Sequence, residues 1–462
     1  MITDLRIRQS ILVVITMLVI LAAVGLAFGL LGAASGDFLA NWWLPALPIP
    51  LVLIGMHYRE TLSLTWRSAW IGLMLTMVLL FVLISLQIVV SNITVKPEWD
   101  LKWFWLHARA AAQGMNFYQA ELVHQLAAQY APNTDLFLSQ LYFWYPPPTM
   151  LYMLPLGWFD METAFTLWQI VHLVLLVVDI VILRNLFLPK SGWIGLLFVG
   201  ALVAGLHPVI DTIYAGQTNF LMLFFILLYW RDRERPRAGI WIVAAAFVKP
   251  FVGILLLVVL IRRQWKVLGV MVVSAAVAAL VSILVFGLPT FISYFTENPV
   301  ANLNSYMLTM PFNQSLLATL LRLGQVDVSG ISPFTYPPFL VGALILTAIT
   351  VVVVYRLGTD KAGWGIALTL LLGVLIYPHS LRYYSLVLIL PILLIWSDRT
   401  RFFGQWTGAI IALSLVYELD AYRPGSMIFF VLLACWIIAA IYASREAHLF
   451  STLRKQLNPS HT

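Results

Sequence analysis

Long apolar runs separated by short polar breaks fill most of the chain. They lie near 11–34, 39–56, 69–90, 163–187, 193–206, 219–230, 238–261, 267–288, 336–355, 364–377, 383–396, 405–418 and 427–443. Runs of about 18 to 25 residues cross a hydrocarbon core of roughly 30 Å as helices. The pattern predicts an all-α protein, a polytopic transmembrane helical bundle of about 11–13 spans. Residues 1–68 supply two N-terminal helices, 69–396 the core and 397–462 C-terminal helices with a basic tail. The run at 11–34 is about twice as long as the apolar region of a secretory signal, so it reads as a first membrane helix.

One region breaks the pattern. From Ser91 to Tyr145 the chain is mixed, aromatic and polar. Within it, 101–114 and 119–130 have helical composition interrupted by charge, as expected of helices lying in a membrane interface. Trp99, Trp103, Trp105, Tyr142 and Trp144 suit the headgroup zone, where amphipathic rings collect. This loop, 91–145, is placed on the outer surface. The following piece, 146–159, opens on three consecutive prolines.

Composition supports a membrane protein: 61% of residues are hydrophobic and 10% charged, against about half and about a quarter in soluble domains. The net charge of +7 is carried in bursts, at Arg6 and Arg8, Arg59 and Arg67, Arg231–Arg237, Arg262–Lys266, Arg399 and Arg401, and Arg445–Lys455. Such bursts mark cytoplasmic loop ends, so the basicity reports topology and implies no nucleic acid. If the Arg184–Lys190 and Arg231–Arg237 loops are both inside, 146–159 must enter the membrane and return. If that piece spans, one of the two loops is outside. The single cysteine, Cys435, rules out an intramolecular disulfide. No phosphate-binding glycine loop, paired HExxH or metal-ligand spacing appears, which disfavours soluble-type nucleotide hydrolysis. No internal repeat of the kind common in transporters is evident.

Several polar groups interrupt the apolar pattern. Asp100, in KPEWDLKWFW, meets the membrane surface and is a candidate general base; a helix cap is the plainer reading, and Glu98 competes for the role. Lys249 stands beside Pro250 inside AAAFVKPFVG. A buried cation costs on the order of 2.5 kcal/mol or more unless it meets a partner or cavity, so a broken helix presenting Lys249 to an anion competes with a kinked helix whose lysine snorkels. In HPVIDTIYAGQTN, His207, Asp211, Gln217 and Asn219 suit sugar hydroxyls or a simple interhelical turn. In YPHSLRYY, His379 and Arg382 suit a phosphate, and Tyr377, Tyr383 and Tyr384 a stacking wall or an aromatic belt. Asn313 and Gln314 occupy another outer loop.

In this order, Asp100 followed by QGMNFYQ, FWYPPPTMLYMLPLGWF, HPVIDTIYAGQTN, RAGIWIVAAAFVKP with RRQWK, FNQSLL and YPHSLRYY, the motifs resemble the GT-C superfamily of membrane glycosyltransferases. Within it the chain is similar to glycosyltransferase family 87, the polyprenol-phosphate-mannose-dependent mannosyltransferases and their relatives. The match covers roughly residues 90 to 390. Two departures stand out: two apolar segments precede the helix leading to Asp100, and His207, Pro208 and Asp211 replace an acidic-Pro-Arg group. The resemblance implies inverting transfer of a mannose-like hexose from a polyprenyl-phosphate sugar donor to a lipid or glycan acceptor, at the extracytoplasmic side of the cell membrane, with no nucleotide sugar, cofactor or essential metal. Asp100 would be the base, and Lys249, His379 and Arg382 would hold the donor phosphate. Tyr145, Gln217, Asn219, Asn313 and Gln314 would contact sugar and acceptor. A transporter or flippase of lipid-linked saccharide is the alternative, and a structural envelope subunit a third reading.

Overall fold

The structure, a computed structural model, describes residues 49–58, 60–94, 100–130, 143–297, 313–326, 334–358, 361–397 and 428–446, with residues 13, 308 and 310. The expected segments at 11–34, residue 13 apart, and 405–418, and Glu98, Trp99 and Tyr142, lie outside these residues. Among the described residues the fold is all-α. A short α1 (Ile49–Tyr58) precedes α2 (Leu64–Thr94), and α3 (Asp100–Ala112) and α4 (Ala120–Tyr130) follow in the long loop. Next come α5 (Pro147–Met153) with a 3-10 turn over Leu154–Trp158, α6 (Met161–Phe187), α7 (Gly192–Gly205), α8 (His207–Ala215) and α9 (Asn219–Asp232). The chain continues through α10 (Ala238–Val248), a 3-10 turn over Pro250–Leu255, α11 (Leu256–Ile261), α12 (Trp265–Phe286) and α13 (Leu288–Thr296). It ends with α14 (Leu316–Gly324), α15 (Pro337–Arg356), α16 (Ala362–Ile376), a 3-10 turn over Arg382–Leu388, α17 (Ile389–Ser397) and α18 (Ile428–Glu446).

Four of these helices, α2, α6, α12 and α15, are long and apolar enough to cross a membrane. The pair α7 and α8, bent by 67°, makes a fifth span if counted as one. The number falls below the expected 11–13 for a physical reason as well as because some segments lie outside the described residues. Several apolar runs are broken by Pro or by a polar residue into helices shorter than a bilayer, a device that membrane proteins use where backbone faces protein or a cavity. On α12, Val272, Val273, Val277, Leu280 and Leu284 are all exposed, as a face turned toward lipid requires.

The break at Lys249 reverses the chain. Lys249 has an extended backbone (φ −143°, ψ 108°) between α10 and the following turn. The Gln264 amide, just beyond α11, donates to the Arg233 carbonyl at 3.1 Å, and a Cβ added to Gly239 would lie 2.5 Å from the Val267 carbonyl. Both feet of 238–261 therefore stand together, and the segment is a hairpin with Lys249 at its tip. Eleven residues of α10 reach only about 16 Å, roughly half the thickness of a hydrocarbon core. The proline removes a backbone donor and leaves helix-end carbonyls open; the Thr149 hydroxyl donates to one of them, that of Phe247.

The piece 146–159 forms seven α-helical and five 3-10 residues, about 20 Å in all. That is short of the hydrocarbon core, so of the two readings the return is the one its length allows. It also changes the place of α3. An interfacial helix was expected there, yet ten of its thirteen residues are buried, including Lys102 and His107. The 3-10 turn packs on it so closely that a Cβ on Gly157 would sit 2.1 Å from the Ala108 carbonyl. Arg109 donates to the Gly157 carbonyl at 2.9 Å and Trp105 to that of Phe159 at 3.2 Å. A second aromatic core, including Phe104, Phe117, Phe143, Phe165 and Trp168, forms around α3. α4 keeps the amphipathic character expected, burying Val123, Leu126 and Ala127 on one side.

Candidate active site

Four segments that are distant in sequence wall one open cavity. From α3 come Asp100, Trp103, Phe104 and His107, whose i, i+3, i+4, i+7 spacing puts them on one helix face. Phe143, Trp144 and Tyr145 come from the stretch before α5, Gln217 from the turn between α8 and α9, and Tyr377, His379, Leu381, Tyr383 and Tyr384 from the segment after α16.

The turn that carries Gln217 is tightly held. α8 ends at Gly216 with φ +67°, a left-handed conformation that glycine adopts freely and that closes helix C-termini. Its open carbonyls are taken by side chains from two other helices. Asn92 of α2 donates to Ile213 and Tyr214, both at 3.1 Å, and Trp168 of α6 donates to Gly216 at 2.8 Å. A Cβ on Gly216 would lie 2.4 Å from the Leu101 Cβ. Backbone strain and overpacking therefore act together in Gly216→Ala, which is expected to lower the unfolding free energy by about 2 kcal/mol, read as a lowered thermal midpoint in detergent, and to weaken turnover through displacement of Gln217.

Lys249 is fully buried and sits behind Gln217. Its Nζ donates to the Gln217 Oε1 at 2.5 Å and to the Tyr145 hydroxyl at 2.8 Å. The rings of Tyr384, Tyr145 and Tyr383 surround it, with centroids at 4.7, 5.1 and 5.2 Å, a geometry in which ring quadrupoles favour a cation. With its oxygen turned to Lys249, the Gln217 amide directs its NH₂ group toward the Tyr383 hydroxyl, at 3.2 Å, and hydrogen-bonds Asp100. Burial raises the Asp100 pKa above the ordinary carboxylate range, while that hydrogen bond and the Lys249 charge pull it back in part. Burial likewise pushes the His379 imidazole down to about 4 and His107 to about 4, so both are neutral near pH 7. Trp144 stands edge-on to His379, with ring centroids 4.7 Å apart.

Of the nine residues given roles by the family resemblance, Asp100, Tyr145, Gln217 and His379 line the cavity, with Tyr377, Tyr383 and Tyr384 of the expected aromatic wall beside them, and Lys249 touches two of the four. The other four lie behind the wall. Arg382 points at Asp211, making a two-pronged ion pair with it, and His207 lies 3.3 Å from the same carboxylate. Asn219 is buried and donates to the Thr212 hydroxyl at 3.0 Å. Asn313 donates to the Pro378 carbonyl at 2.9 Å, and Gln314 to that of Leu381 at 2.9 Å. These two residues brace the loop that carries His379, which a backbone bridge between Asn313 and Leu381 reinforces. Trp103, Phe104, His107, Phe143 and Trp144 were not singled out as site residues; the spacing from Asp100 to His107 was the signal available for three of them.

An acid, an amide and a buried cation meeting under aromatic walls form a site suited to a polar, ring-shaped substrate. The model of glycosyltransferase family 87 matches residues 143–378, more than half of the chain. No curated protein and no solved structure matches it. The matched stretch holds Tyr145, Gln217 and Lys249, whereas Asp100 precedes it and His379 follows it. With the membrane-length helices already described, the match identifies a membrane glycosyltransferase, and the chain belongs to glycosyltransferase family 87.

Proposed function

We propose that the chain transfers a mannose-like hexose from a polyprenyl-phosphate sugar to a lipid or glycan acceptor, at the extracytoplasmic face of the cell membrane and with inversion. The observation that carries this reading is the Asp100 carboxylate, held by Gln217 in front of the buried Lys249 and open to a cavity walled by aromatic rings. Asp100 takes the proton of the acceptor hydroxyl as its oxygen bonds to the anomeric carbon. The bond from that carbon to the phosphate oxygen breaks with its electron pair, and polyprenyl phosphate leaves. Lys249 stabilises the charge growing there from a water-poor position, where fixed charges act strongly. His379 contributes a neutral N–H, and Arg382 supports the wall from its pairing with Asp211. Tyr145 and Gln217 border the sugar; Asn219, Asn313 and Gln314 shape the loops that do so.

The orientation rests on charge. Arg184, Arg231 to Arg237 and Arg262 lie at helix ends away from the cavity: Arg262 donates to the Gly358 carbonyl at 3.2 Å, and Gln264 meets Arg233. With the hairpin at 238–261 and the return at 146–159, all these basic loops fall on one side, which the positive-inside rule makes cytoplasmic. The cavity then opens on the other side.

Purified protein incubated with a panel of polyprenyl-phosphate sugars and a membrane lipid extract is expected to release polyprenyl phosphate in step with a glycosylated product. Movement of a lipid-linked sugar across reconstituted vesicles, with no new glycosidic bond, would overturn the assignment.

A further inference from the structure

His107 lies two helical turns beyond Asp100 on the same face of α3, about 10 Å along the axis. It lines the cavity among Trp103, Phe104 and Phe143, and its ring packs against Phe143 with centroids 5.2 Å apart. Its Nδ1 is 2.9 Å from the Phe117 carbonyl. A carbonyl only accepts, so Nδ1 carries the proton of that bond. On a neutral ring the other nitrogen, Nε2, then has a bare lone pair and no proton to give. Burial among apolar rings keeps the imidazole neutral, at about 4, because desolvation disfavours the charged form.

We infer that His107 is a substrate-binding residue whose Nε2 accepts a hydrogen bond from a sugar hydroxyl other than the reacting one. The inference rests on the glycosyltransferase reading and adds a selection rule to it. A lone pair in an aromatic pocket matches a hydroxyl, which can donate. It repels phosphate and carboxylate oxygens, which cannot. It thereby favours a ring hydroxyl at the α3 C-terminal side of the cavity and leaves charged groups to the Lys249 side. The hydroxyl can belong to the donor sugar or to an acceptor sugar, and a deoxy series separates the two.

The test uses full-length protein in detergent with dodecyl-phosphate mannose and its 2-, 3-, 4- and 6-deoxy forms, and separately octyl mannoside with the same deoxy set. Binding is measured by calorimetry in the wild type and in His107→Asn. The asparagine amide can stand in for Nδ1 and keep the Phe117 bond, so the fold is retained, but it puts nothing at Nε2; thermal unfolding checks this. One deoxy position in one series is expected to weaken wild-type binding about three- to tenfold and to cost His107→Asn nothing. His107→Gln, which can return a carbonyl oxygen to the Nε2 position, is expected to restore part of the discrimination. Equal losses in wild type and His107→Asn at every position of both series would overturn the inference. So would ¹⁵N-histidine spectra, assigned by difference against His107→Asn, that place the proton on Nε2. Neither readout needs turnover, so absence of transfer with every lipid-phosphate sugar would count against the proposed reaction while the hydroxyl coupling stood.

Discussion

Asp100→Asn is expected to lower transfer about 10²- to 10⁴-fold, the range associated with loss of a positioned acid–base group, while the protein remains folded. Asn has the shape of Asp and serves equally at the start of a helix. The substitution removes the carboxylate charge, losing its attraction to the α3 N-terminus and to Lys249 together with the cost of burying it, while the amide oxygen still accepts from Gln217, so the thermal midpoint moves little. Asp100→Glu, which retains the carboxylate one methylene away, is expected to recover part of the rate. The pH profile supplies an independent check. Asp100 must be ionised to take a proton, and burial raises its pKa despite the opposing Gln217 and Lys249 contributions. Wild-type kcat/KM is therefore expected to fall as pH drops through a value above that of an exposed aspartate, and the residual activity of Asp100→Asn to lack that limb. Full turnover in Asp100→Asn would remove this residue from the reaction.

The features legible in the sequence are those fixed locally. Apolar runs give membrane-length helices because backbone groups in lipid must be satisfied within the segment. The pair Lys249 and Pro250 announces a broken helix, since a cation and a missing donor both need an exception to that rule. Asp100 is legible as a carboxylate at the start of a helix. What the residues there do not disclose is the return of 238–261, because a spanning run and a hairpin have the same hydropathy and differ only in where their feet stand. The burial of α3 is hidden for a similar reason. Its Trp and Phe residues suit a lipid interface or an aromatic core equally, and the covering piece, 146–159, arrives from elsewhere in the chain. Arg382 reads as a phosphate ligand as long as its partner is unknown; Asp211 stands 171 residues away. Lys249 is at the expected place, yet it meets the cavity through Gln217 and Tyr145 rather than directly, a distinction set by side-chain packing alone.

The pairing of Asp211 with Arg382 leads to the second large effect, on stability. Both side chains are buried, and they tie α8, whose end presents Gln217, to the turn after Leu381, which presents Tyr383 and Tyr384 around Lys249. Removing one partner of a buried pair costs about 3–5 kcal/mol, because the other charge loses its compensation in a medium that solvates it poorly. Asp211→Ala is therefore expected to lower the thermal midpoint strongly and to reduce transfer, with the loss spread over kcat and KM because both walls of the cavity shift. Replacing both partners by apolar groups of similar size, as in Asp211→Leu with Arg382→Met, removes the stranded charge along with the bond. The double variant is expected to be clearly more stable than Asp211→Ala, since the desolvation cost of both ions disappears with them. If the pair only braces the fold, the double variant regains transfer along with stability. If Arg382 itself meets the leaving phosphate, stability returns and transfer does not, and Arg382 moves from the wall into the reaction.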